Sequence, residues 1–232
     1  MNHTDTPIWL GVDIGTQSVK VLCYDAGTRA VAAQASSPLE LRADNDGTRE
    51  QLADWWLQAL HRCMAELDSG VRSRVAAIGV SGQQHGFVPL GAEGEVLAPV
   101  KLWCDTSTVD ECEEITTAFG GAARCIAEAG NAILPGYTAS KIRWLKNHFP
   151  DLYAQLDCIL LPHDYINFYL TGIRAMECGD ASGTGLLDVR RRSWHSGLLH
   201  ALDPDRDLAA CLPPLVAAGN PWARCAKPLL PR

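Results

Sequence analysis

Two short strings hold the side chains with most chemical capacity in this 232-residue chain. The first is Asp13-Ile14-Gly15-Thr16-Gln17-Ser18, with Lys20 close behind. A glycine in a turn lets the backbone approach an anion, and the amides of Gly15, Thr16, Gln17 and Ser18 can converge on a phosphate. Thr16 and Ser18 add hydroxyl donors, and Lys20 adds positive charge nearby. Asp13, at a strand end, suits Mg²⁺ held through water, because that ion takes one or two carboxylates and keeps much of its hydration. The second string is Gly82-Gln83-Gln84-His85-Gly86, a polar run directly after an apolar one. Gln83, Gln84 and His85 supply both donors and acceptors, as the hydroxyls of a polyol require. Each string also has a plain reading: an ordinary hairpin turn in the first case, a satisfied structural histidine in the second.

The elements around these strings decide what they can do. Ile8 to Ile14 reads as a buried strand, Val19 to Tyr24 as a second and Ala30 to Ala35 as a third, with short connections throughout. Such a run predicts an antiparallel meander. A nucleotide-binding βαβ unit would place a helix after the first glycine turn, where this chain places a strand. Residues 48 to 67 carry apolar side chains at helical spacing, Thr48 with Gln51 forms a capping-box pattern, and Gly70 lies past the end. Trp55 and Trp56 sit on that apolar stripe and read as core. Val75 to Val80 reads as a buried strand that delivers Gln83 to His85 to the carboxyl end of a sheet, where α/β folds place ligands. Strands at 87–90 and 96–102 follow, then helices near 111–119, 122–129 and 140–148, a strand at 159–161 and a helix at 164–170.

Composition narrows the class. The net charge is -7 with acids and bases interspersed, which argues against nucleic acid as a partner. Arg190-Arg191-Arg192 reads as a solvated surface turn. No run approaches the roughly 20 apolar residues of a membrane helix, and Met1 to Asp5 lacks the character of a signal peptide. The nine cysteines include no C-x-x-C pair, so they read as small core residues of a cytoplasmic protein rather than a zinc site or disulfide framework.

The strand, D-x-G-T-x-S turn and second strand resemble the first phosphate motif of the actin, hexokinase and Hsp70-like ATPases. Within that group, Gly136-Tyr137-Thr138-Ala139-Ser140-Lys141-Ile142-Arg143-Trp144-Leu145-Lys146-Asn147-His148 resembles the first signature of the FGGY carbohydrate kinases. Ile142 and Leu145 there also read as one buried helix face, so the signature can mark packing beside the site. Gly82 to Gly86 is similar to the G-Q-x-H-G of the xylulokinases in that family, whereas glycerol kinases carry an Arg-Glu pair there. Trp103-Cys104-Asp105 resembles the family's W-x-D. Many members follow it with an arginine where this chain has Ser107, so that contact does not carry over. Asp180-Ala181-Ser182-Gly183-Thr184 with Leu187-Asp188 resembles a further stretch of the xylulokinases, in which Asp180 receives no role.

The resemblance implies an α/β, ribonuclease-H-like domain over residues 7–217, with a mixed sheet that starts as the meander and helices on both faces. It implies ATP-dependent phosphorylation of D-xylulose at its 5-hydroxyl, with ATP and Mg²⁺ as cofactors and homodimeric full-length relatives. Asp13 would organise Mg²⁺, the turn from Gly15 to Ser18 with Lys20 would cradle phosphate, and Gln83, Gln84, His85, Trp103 and Asp105 would face the sugar. The family's catalytic Asp, in a Gly-rich segment, and its second lobe are expected to be absent from this chain. Residues 218–232, with Pro221, Pro228 and Pro231, are expected to be an atypical, frameshifted tail, and the chain alone is expected to be inactive. The alternatives are a non-catalytic sugar-binding remnant and a kinase lobe for another ketose or polyol.

Overall fold

The computed structural model describes residues 6–217 and 224–225. Strand β1 (Ile8–Ile14) alternates buried and exposed residues along its whole length and pairs antiparallel with β2 (Ser18–Asp25). That strand pairs antiparallel with β3 (Ala30–Pro38), which completes the meander and runs on past Ala35. Two short strands, β4 (Arg42–Ala43) and β5 (Arg49–Gln51), then precede helix α1 (Ala53–Glu66).

The helix start expected at Thr48 is therefore corrected. Residues 50 and 51 are drawn into antiparallel pairing with Lys101 and Val100. The helix cap moves to Leu52, which makes no side-chain cap bond. Tertiary pairing overrides the local capping signal, and the Gln51 side chain goes inward instead. Gly70 lies within a short second helix, α2 (Ser69–Arg72), capped by Asp68.

Strand β6 (Val75–Gly82) pairs parallel with β1 and gives a four-stranded mixed sheet in the order β3-β2-β1-β6. Its apolar sequence reads as buried, yet its residues are half-buried or exposed. The reason is position: among the described residues, β6 is an edge strand. On the covered face, α1 sets Trp56, Ala59, Leu60, Cys63 and Met64 against the inward residues of β1 and β2. Trp56 is fully buried there and meets Tyr165 edge-on, whereas Trp55 is half-buried beneath Arg42. On the opposite face Trp9 is 52% exposed and stacks on Tyr24.

The chain then builds β7 (Val88–Leu90), β8 (Val100–Lys101), α3 (Val109–Phe119), α4 (Ala122–Ala129) and α5 (Thr138–His148). It continues through α6 (Pro150–Ala154), β9 (Cys158–Leu160), α7 (Pro162–Thr171), α8 (Cys178–Ser182) and α9 (Ser196–Leu202). Helices α3, α4, α5 and α9 enclose a second core around Ile115, Phe119, Ile142, Leu145, Leu198 and Leu202. Only Val100 and Lys101 of the stretch expected as a strand at 96–102 form one, with a single bridge from Val96 to Leu90. All nine cysteines are free, and Cys225 is exposed. Among the described residues no helix is long and apolar enough to cross a membrane.

Trp56→Ala removes the largest buried side chain beneath the sheet and is expected to cost about 3–5 kcal/mol in chemical denaturation, against at most about 0.5 kcal/mol for exposed Trp9→Ala. Equal losses for the two would show that α1 does not anchor the meander.

Candidate functional site

Because β1 and β6 are adjacent and parallel, the two chemistry-bearing strings leave the sheet side by side at its carboxyl end. Gln83 N donates to Ile14 O at 2.7 Å, which joins the two exits directly. An open cleft of about 400 Å³ lies there, lined by Asp13, Gly15, Thr16, Gly82, Gln83, Gln84, Trp103 and Asp180. Another surface hollow, near Ser196 and Asp205, contains none of these residues.

The turn is tight. Gly15 N donates to Ser18 O at 3.0 Å, and a Cβ on Gly15 would stand 3.0 Å from that same oxygen. The Gly15 amide is therefore engaged within the hairpin, while those of Thr16 and Gln17 make no hydrogen bond among the described residues. Gln17 and Lys20 are exposed, and Lys20 lies across from Asp13 in the strand register.

Behind the turn sits a residue that sequence reasoning assigned to a helix cap. Gln51 is fully buried, and its amide is saturated. It donates to Thr16 O at 2.8 Å and Glu40 O at 2.7 Å, and accepts from Trp56 Nε1 and Gln83 Nε2, both at 2.9 Å. Gln83 also accepts from Thr16 Oγ1 at 3.1 Å, and Thr16 Oγ1 accepts from Trp103 Nε1 at 3.0 Å. Gln83 thus reaches the cleft with its side chain held at both ends. Gln84 is exposed and has no such restraint.

His85 occupies the left-handed region at φ 63, an uncommon conformation for a side-chain-bearing residue. Its carbonyl accepts from Lys141 Nζ at 2.8 Å and Thr138 Oγ1 at 3.2 Å. The same ammonium donates to Gly136 O at 2.8 Å. Lys141 is fully buried, and burial pushes it down to about 7, so it exchanges between ammonium and amine near neutrality, and either form has hydrogens enough for both carbonyls. The His85 ring lies 4.8 Å from that of Tyr137, and its Nδ1 is buried without a partner. Burial, reinforced by Lys141, lowers its basicity.

Trp103 is 46% exposed at the cleft, but Asp105 is fully enclosed and outside the lining. Asp105 accepts from Arg49 N at 2.8 Å, Lys101 Nζ at 3.2 Å and both the amide and hydroxyl of Ser107. Lys101 is itself buried and lies 3.9 Å from the centre of the Trp144 ring. Ser107 thus joins the Lys101–Asp105 cluster. The residues missed from sequence were Gln51 and Lys101, whose types signal nothing until their backbone neighbours are known.

The sequence model for the FGGY family of carbohydrate kinases, N-terminal domain, matches residues 8–230. The chain belongs to that family. Its match includes much of the segment beyond 217, of which residues 218–223 and 226–232 lie outside the described residues. The xylulose kinase of Haemophilus influenzae is 36% identical over 218 residues, which is 91% of this chain and 44% of the relative. That of Escherichia coli K12 is 37% identical over 201 residues, covering 86% and 41%. The chain therefore spans less than half the length of these relatives. A solved structure from Brucella ovis, named as a xyloylose kinase, superposes with a TM-score of 0.81 at 32% identity over 90% of this chain and 42% of that one. The mixed sheet and flanking helices are those of the actin- and hexokinase-like sugar kinases. Within this FGGY domain, most of the segment from Gly136 to His148 lies on α5, where Ile142 and Leu145 are buried, Lys141 bonds the His85 carbonyl and Trp144 packs on Lys101.

Unfolded, Lys141 has its ordinary value of 10.5, and folded it sits at about 7. Between these the unfolded chain binds a proton that the folded chain does not, so this group makes stability rise with pH. The wild-type minus Lys141→Met difference in unfolding free energy is expected to grow from pH 7 to pH 10 in urea titrations. A difference independent of pH would show that the lysine titrates normally.

Proposed function

We propose that this chain is the sugar-binding half of an ATP-dependent kinase that phosphorylates the terminal 5-hydroxyl of a ketopentose, D-xylulose. The observation that supports it is the convergence of Asp13, Gly15 and Thr16 of the turn with Gln83 and Gln84 on one cleft. Gln84 orients the sugar, Trp103 provides an apolar wall and Gln83 holds the floor in register, whereas His85, expected at the sugar, lies outside the lining. The free amides of Thr16 and Gln17, with Lys20 nearby, suit phosphate oxygens. ATP supplies the phosphoryl group, and Asp13 holds its Mg²⁺ through water. Among the described residues no cluster of three or more metal-ligating side chains exists, which fits an ion brought in by a nucleotide rather than a caged one.

Phosphoryl transfer depends on in-line positioning and charge neutralisation, and usually on lobes that close to exclude water. In this reading the remaining length of the relatives supplies the base, the adenosine site and the closure. The 232-residue polypeptide is expected to bind D-xylulose in titration calorimetry and to show no ATP turnover above a buffer blank. Gln84→Ala is expected to weaken binding by about tenfold. Absence of heat with D-xylulose would overturn the sugar assignment, a preference for glycerol would redirect it to polyols, and measurable turnover would overturn the half-site reading.

A further inference from the structure

Asp180, in the turn that ends at Gly183, also lines the cleft. Gly183 is what makes room for His85: a Cβ at that position would lie 2.1 Å from both Cε1 and Nδ1 of the imidazole. Asp180, on α8, lines the cleft together with Gln83 and Gln84, and its side chain is 36% exposed. Its backbone amide is tied to Glu177 Oε1, which fixes the turn beneath it. The Oδ2 atom lies 2.9 Å from His163 Nδ1, while Oδ1 has no partner among the described residues.

His163 is itself locked. It is 6% exposed on the first turn of α7, and its Nε2 lies 2.9 Å from Oδ1 of fully buried Asp164. Both are close ion-pair contacts rather than well-aligned hydrogen bonds. The other oxygen of Asp164 accepts from Leu161 N at 3.1 Å, so the helix start fixes this carboxylate. Burial alone would lower the basicity of His163, but the flanking carboxylates raise it to about 10. Contact with the imidazolium holds Asp180 below the usual carboxylate range, whereas burial pushes Asp164 up. Of the two, Asp180 is the one that lines the cleft.

We propose that Asp180 contacts the substrate directly, accepting a hydrogen bond from a sugar hydroxyl on its free Oδ1, and that His163 is the positioning residue that holds it there. An ionised carboxylate is acceptor-only and binds a hydroxyl about twice as strongly as a neutral acceptor. It is the lining's one acidic group besides Asp13. This inference rests on the cleft being a sugar site, and it adds a carboxylate to the groups that read the hydroxyls.

Two measurements on the full 232-residue chain test it. In titration calorimetry below its melting temperature, Asp180→Asn is expected to weaken D-xylulose binding about 10- to 100-fold. Unchanged affinity in this variant, with wild type binding, overturns the role of Asp180 and leaves the sugar site standing. No binding by wild type overturns the sugar site, and this inference with it. Imidazole resonances of the wild-type protein supply a readout that does not need the variant to fold. Addition of D-xylulose is expected to shift the His163 signal, and an unmoved signal under saturating sugar would overturn the contact. A folded Asp180→Asn variant is expected to lower the His163 titration midpoint by at least about one pH unit, and an unmoved midpoint would overturn the positioning role.

Discussion

A single buried amide connects most of what this cleft requires. Gln51 has two donors and two acceptor sites, and all four are in use. Through them the phosphate-type turn, the loop at Glu40, helix α1 and the Gln83 side chain share one fixed point. Buried polar groups are costly when orphaned, about 1–3 kcal/mol each, so removing this amide would leave several partners unsatisfied. A fully satisfied network in a low-dielectric interior therefore imposes one geometry on the parts it joins. Here it couples the Thr16 turn to the Gln83 side chain at the cleft.

The same logic runs through the signature helix. Trp144 covers Lys101, Lys101 pairs with Asp105, and Asp105 accepts from Arg49 N on the strand that carries Gln51. Lys141, on the same helix, holds the His85 carbonyl. Neither cation faces the cleft. Burying each one is unfavourable, and close acceptors and an aromatic face offset that cost. The signature residues act as scaffolding that sets the backbone from which Gln83, Gln84 and His85 project.

The sheet and most helices were legible because alternation and helical periodicity are local signals. β1 was read to the residue, and α4 likewise. The start of α1 was not, because Thr48 and Gln51 look like a capping box while the pairing of 49–51 is decided by residues fifty positions away. The exposure of β6 was also hidden, since an apolar run gives no sign of whether a neighbouring strand lies beside it. In the site, Asp13, Gly15, Thr16, Gln83 and Gln84 could be found from type and spacing. Gln51, His163 and the enclosure of Asp105 could not, because each depends on which backbone groups the fold brings to it.

The central claim is that Gln51 aligns the proposed sugar site without touching it. Gln51→Leu places an apolar side chain of similar size there while removing all four hydrogen bonds, and D-xylulose titration calorimetry of wild type and variant tests it directly. The account predicts that the variant stays folded at low temperature yet loses sugar affinity by at least about tenfold. Wild-type affinity in a folded Gln51→Leu protein would contradict it, and would reduce this amide to a stabilising contact of the core.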